Sequence, residues 1–136
     1  MHMERILVCV EAQRGAWEAL DRAFNLAERL SAHVSVLLIY PEQWVENVAS
    51  DEEESVRERL ELMLEDAESK GIFVEFYVCR GSYEEEVISF VEEHGITHLI
   101  VEQADEGYKE SVKCLKAHQN IRHRVQCRIE IVQKRT

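Results

Sequence analysis

One proline, five glycines and four cysteines are scattered through 136 residues, and each scarcity removes a class of protein. So little proline and glycine excludes a collagen-like chain or a low-complexity linker. Cys9, Cys79, Cys114 and Cys127 stand singly, never as Cys-x-x-Cys, so no disulfide framework is expected. No apolar run approaches the roughly 18 residues of a membrane span. The first run, Ile6 to Val10, is too short for a signal-peptide core. The chain is therefore expected to be cytoplasmic, without membrane insertion. Gly-x-x-x-x-Gly-Lys, Gly-x-Ser-x-Gly and His-Glu-x-x-His are all missing, and with them the best-marked phosphate, acyl-transfer and zinc chemistries.

Positive charge is scarce too. Sixteen Lys and Arg face 27 Asp and Glu, a net charge of −11, which argues against nucleic acid as a partner. The imbalance is uneven. Residues 1–108 hold 8 basic and 25 acidic side chains, a balance of −17, and residues 109–136 hold 8 and 2, a balance of +6. A basic closing segment on an acidic body suits an acidic partner surface, although a solvated mixed surface accounts for it as well.

What is present is a regular alternation. A hydrophobic fraction of 46% suits a globular protein, and the length suits one domain over 1–136 with its own core. Arg5 to Val10 and Val34 to Tyr40 are continuous β-rich runs, the pattern of strands covered on both faces. Pro41 stops the second. Between them Trp17, Leu20, Ala23, Phe24, Ala27 and Leu30 form one helical stripe. Trp44, Val45 and Val48 then sit in a loop and are expected to fold back as a lid, since loops seldom expose three large apolar groups.

Ser50 and Glu53 form a capping box for a helix whose buried face is Val56, Leu60, Met63, Leu64 and Ala67 and which Gly71 closes. Ile72 to Cys79 alternates as a half-exposed strand near a sheet edge. Ser82 and Glu85 predict a second capping box, before a helix burying Val87, Ile88 and Val91 and ending at His94-Gly95. Thr97 to Val101 is the fourth strand, Tyr108 to His118 a weaker helix with Val112 and Leu115 inward, and Val125 to Val132 the fifth strand. Strand–helix alternation implies parallel strands with right-handed crossovers. The fold class is α/β: an open, doubly wound, parallel five-stranded sheet with helices on both faces.

Other constellations weigh little. Cys114 and His118 share a helix face with His123 beyond, but structural zinc wants four ligands, so no metal site is expected. Glu11 and Glu102 could set two carboxylates across the crevice for acid–base chemistry, yet no nucleophile or electrophile stands near them. No catalytic residue is assigned.

Several segments together resemble the universal stress protein family. They are Arg5-Ile-Leu-Val-Cys-Val-Glu11, Ala19 to Leu30, Val34 to Tyr40, Arg80-Gly81, Ile96 to Val101 and Arg128-Ile-Glu-Ile-Val132. The resemblance implies a flavodoxin-like, adenine-nucleotide α-hydrolase-like sheet ordered 3-2-1-4-5, with the ligand crevice between strands one and four. It implies a homodimer through the fifth strand, with Arg128, Ile129, Glu130, Ile131 and Val132 as interface, and a stress-response or regulatory binding role rather than an enzyme. A soluble regulatory domain of a transporter system is a further role found in such domains.

Against the family's ATP-binding pattern the chain departs. Glu11 stands where an Asp closes strand one, Tyr40 where a smaller residue receives adenine, and Gln103 and Glu106 where two glycines of the phosphate loop belong. Gly107 alone survives, out of register, and the third glycine position falls near Leu115 and Lys116. A carboxylate about 4 Å from a phosphate costs about 4 kcal/mol at an effective dielectric near 20. The expected crevice residues are Glu11, Ala12, Gln13, Tyr40, Gln103, Glu106 and Gly107, in a pocket narrowed by side chains and covered by Trp44, Val45 and Val48. No cofactor is expected, with ATP or AMP as the alternative.

Overall fold

The computed structural model describes residues 3–44, 50–103 and 109–133, the side chains of 109–115 excepted. Five strands, β1 (Arg5–Glu11), β2 (His33–Tyr40), β3 (Phe73–Arg80), β4 (His98–Gln103) and β5 (Arg128–Gln133), alternate with four helices. The helices are α1 (Trp17–Leu30), α2 (Asp51–Ser69), α3 (Tyr83–His94) and α4 (Lys109–Arg124). All strand pairs are parallel and the sheet order is β3-β2-β1-β4-β5. The winding reverses between β1 and β4, which places the crevice of this architecture at their carboxyl ends.

The pleat divides the core in two. Ile6, Val8 and Val10 of β1 face α1 and α2 with Leu20, Phe24, Leu60 and Leu64. Leu7 and Cys9 face α3 and α4 with Val87, Ile88, Leu99 and Ile121. Burial on both faces is why β1 reads as an unbroken apolar run. No described helix is long and apolar enough to cross a membrane.

Local chemistry sets the helix ends. At α2, Ser50 Oγ accepts the Glu53 N–H at 3.2 Å while Glu53 Oε1 accepts the Ser50 N–H at 2.9 Å, the reciprocal box expected from sequence. The corresponding box at α3 does not form: the Ser82 side chain makes no capping bond. Its acids are drawn to α4, where Asn120 Nδ2 donates to Glu84 Oε1 at 3.1 Å and Arg124 reaches Glu85 Oε1 at 3.2 Å.

The structure departs from expectation at several points. Leu30 is 52% exposed because α1 ends there on a left-handed Ser31; Leu26 is buried on that helix instead. β4 runs two residues further, so Glu102 and Gln103 lie in the sheet, paired with Val132 and Gln133. α4 continues six residues past His118, held by the buried Ile121, and β5 accordingly starts at Arg128. Val45, Val48, Val112 and Leu115 lie outside what is described.

Candidate functional site

The turn after β1 folds onto itself. The Arg14 and Gly15 N–H groups both donate to the Glu11 carbonyl, at 3.1 and 2.9 Å, and the Ala12 N–H donates to the Ile39 carbonyl at 3.0 Å. These three amides of the turn are thus already bonded within the chain and are not open to an anion. Gly15 sits at φ +73°, and a Cβ there would come 2.5 Å from Trp17 Cζ2, so the indole lies directly on the turn. The Arg59 guanidinium stacks on the Trp17 ring at 4.3 Å, a cation–π contact that joins α2 to the start of α1.

Glu102 closes the first turn of α1. From the end of β4 its Oε1 accepts the Glu18 N–H at 2.9 Å and the Ala19 N–H at 3.2 Å. A helix N-terminus carries unpaired N–H groups and partial positive charge, which makes it a natural seat for an anion. Here that seat holds a carboxylate of the chain itself. Ala16, at the N-cap position, offers no side-chain oxygen, so the cap has to come from elsewhere in the fold.

At the carboxyl end of the sheet a cavity of about 200 Å³ is lined by Glu11, Ala12, Gln13, Ile39, Pro41, Gly81 and Tyr83, from the ends of β1 and β2 and the start of α3. A second cavity of about 390 Å³ shares Gln13 and is lined by Trp17, Asp51, Ser55, Val56 and Arg59, within the size range of ligand pockets. Glu11 is paired with Arg14 across 3.8 Å. The Tyr83 hydroxyl meets His118 Nε2 at 3.3 Å, where burial, with Arg14 and Arg122 nearby, pushes the imidazole down to about 4. His118 is therefore neutral near pH 7.

Of the crevice residues expected from sequence, Glu11, Ala12 and Gln13 come together. Tyr40 does not join them: it is buried among the side chains facing α1 and α2, with the Trp44 ring tilted against it at 4.2 Å. Trp44 thus covers Tyr40 rather than this cavity, and Tyr83 is the aromatic ring at its wall. Gln103 accepts from the Gln133 amide at 3.1 Å across β4 and β5. Glu106 and Gly107 lie outside the described residues. Sequence reasoning missed the cap made by Glu102 and the Tyr83–His118 pair. An unsuitable N-cap residue at Ala16 was the one available signal for the first; the second had none.

Among the described residues no group of three His, Cys, Asp or Glu side chains could hold a metal ion. Burial holds the Cys9 thiol well above its ordinary value and pushes Cys79 up to about 12. Burial also raises Cys127, so none of the three favours a thiolate.

On β5, Ile129 and Ile131 turn toward the cluster under α3 and α4, and Val132 packs on the opposite face. Glu130 points to α1, where Arg22 Nε and Nη2 donate to its two oxygens at 2.6 and 3.3 Å. His98 Nε2 lies 3.5 Å from the same carboxylate, and burial keeps its imidazole below the ordinary value. What β5 leaves open beyond β4 is its outer backbone edge.

Three solved structures show the same fold at low identity. The universal stress protein UspA from Lactobacillus plantarum superposes with a TM-score of 0.76 at 14% identity, covering 97% of this chain and 99% of that one. A universal stress protein in complex with cAMP gives 0.72 at 14%, covering 99% and 100%. A universal stress protein family protein from Arabidopsis thaliana with AMP bound gives 0.57 at 14%, covering 98% and 93%. A comparison with curated protein sequences finds no match. The sequence profile of the universal stress protein family matches residues 2–112, most of the elements just described, and the chain belongs to that family.

Proposed function

We propose that this chain is a cytoplasmic regulatory binding protein of the universal stress protein family, without catalytic activity, whose crevice does not take ATP in the family manner. The observation that carries this reading is the Glu102 carboxylate seated on the α1 N-terminus. A phosphate brought to that position would meet a fixed negative charge, in place of free N–H groups. The bonded amides of the β1 turn support the same reading.

A second reading, adenine-nucleotide binding through an altered cradle, is favoured by the relatives solved with cAMP and AMP. Calorimetric titration near neutral pH with ATP and magnesium, then with AMP and with cAMP, separates the two. No binding of ATP is expected. A dissociation constant of about 10 μM or tighter for ATP, equivalent to about −7 kcal/mol, overturns the first reading. Tight AMP or cAMP binding without ATP supports the second.

The open outer edge of β5 is the place for a second copy, because an unpaired edge strand invites pairing. Sedimentation velocity at micromolar concentration is expected to show a dimer, and a monomer there would refute the pairing.

A further inference from the structure

At the opposite edge of the sheet, β3 is hydrogen-bonded on one side only among the described residues. All eight of its residues pair in continuous register with β2, from Phe73 opposite His33 to Arg80 opposite Tyr40. No bulge interrupts it, and its sequence contains neither proline nor lysine, its charged residues being Glu75 and the terminal Arg80. Two large apolar side chains stand exposed along it, Phe73 at 53% and Val78 at 48%. A long, regular, apolar edge of this kind is a template for an added strand.

The ground beside that edge has a definite chemistry. A groove of about 290 Å³ runs between β3 and α3, floored by Leu37, Tyr77 and Cys79 and walled by α3. Its aromatic wall is a single cluster: Phe90 stacks on His94 at 3.8 Å, and Tyr77 meets Phe90 edge-on at 5.0 Å and His94 at 5.2 Å. Glu86 and Glu93, seven residues apart and so on one face of α3, supply two carboxylates to the same groove. Among the described residues no lysine or arginine lines it. Glu75 adds a third carboxylate at the edge, accepting from the Tyr77 hydroxyl. Aromatic rings with carboxylates and neither lysine nor arginine suit a positively charged group on an apolar stem.

We propose that the β3 edge docks an extended basic segment of a partner protein, which adds as a sixth strand and places a lysine or arginine in the Tyr77–Phe90–Glu93 groove. The open backbone supplies the pairing, the acids supply charge complementarity, and strand periodicity lets alternate side chains of the guest reach the groove. This surface lies at the far edge from β5 and shares no residue with the crevice cavity, so it stands or falls independently of the nucleotide reading.

The probes are two fluorescent peptides of equal charge and about ten residues, one alternating lysine with valine and one alternating lysine with proline, which cannot donate to a strand ladder. The lysine–valine peptide is expected to bind, with backbone amide shifts centred on residues 73–80. The lysine–proline peptide, and the lysine–valine peptide against the Glu93→Lys variant, are each expected to bind at least about tenfold more weakly. Glu93 is exposed, so the variant keeps the fold; its circular dichroism and melting temperature check this. Equal binding of the two peptides would reduce the effect to net charge and overturn the proposal. So would no binding, shifts centred on β5, or a second copy of this chain already covering β3.

Discussion

Arg22 Nε donates to Glu130 Oε2 at 2.6 Å, and through that contact the first helix holds the last strand. The second guanidinium nitrogen reaches the other carboxylate oxygen at 3.3 Å, a two-point geometry that single ammonium groups cannot reproduce. Both side chains stay partly in water, at 40% and 30% exposure, so screening trims the gain. A double-mutant cycle of Arg22→Ala and Glu130→Ala should give a coupling of about 1 kcal/mol, smaller in high salt. The Arg22 hydrogen bond holds the Glu130 carboxyl below its ordinary value. Its contribution is therefore present above the unfolded carboxylate value and lost as pH falls through the folded one. Urea unfolding at two salt concentrations measures the coupling; a value indistinguishable from zero refutes it.

His118 predicts acid sensitivity at milder pH. The unfolded chain takes up this proton near the ordinary value of 6.5, whereas the folded chain resists it down to about 4. The unfolded state binds more protons across that window, so stability is full above it and declines as pH drops from 6.5 toward 4, by about 3 kcal/mol in all. His98, also held low by burial, adds in the same direction. Urea midpoints at pH 7, 6, 5 and 4 should fall for the wild type and fall less for His118→Gln. Parallel curves for the two proteins would remove His118 as the cause.

Gly15→Ala should destabilise the chain by about 1–2 kcal/mol, since the left-handed backbone and the added methyl act together. The methyl has nowhere to go while Trp17 lies on the turn. A variant as stable as the wild type in thermal unfolding would show that the indole and turn move apart at little cost.

The strands were legible because β1 and β2 are buried on both faces and so are spelled in unbroken apolar residues. The Ser50–Glu53 box was legible because both partners lie within one turn. Ser82 and Glu85 carry the same spelling, yet Ser82 makes no capping bond and Glu85 accepts from Arg124, 39 residues away. The rest of α4 escaped notice because, beyond His118, Ile121 is its one buried apolar side chain. Around the crevice the sequence shows Gln103 and Glu106 where the family resemblance leads one to expect glycines. It could not reveal Glu102 as a cap, because 84 residues separate donor and acceptor and no local pattern encodes such a pairing.

That separation gives the cap a role in the order of assembly. Most helices can complete their first turn from neighbouring residues, but α1 must wait until β4 has docked against β1. Closing so long a loop carries an entropic cost that local capping avoids. The Glu18 and Ala19 amides should therefore lag behind the middle of α1 in pulse-labelled hydrogen exchange during refolding, gaining protection only as β4 joins the sheet. Two amides near the beginning of the chain become a clock for the arrival of its second half.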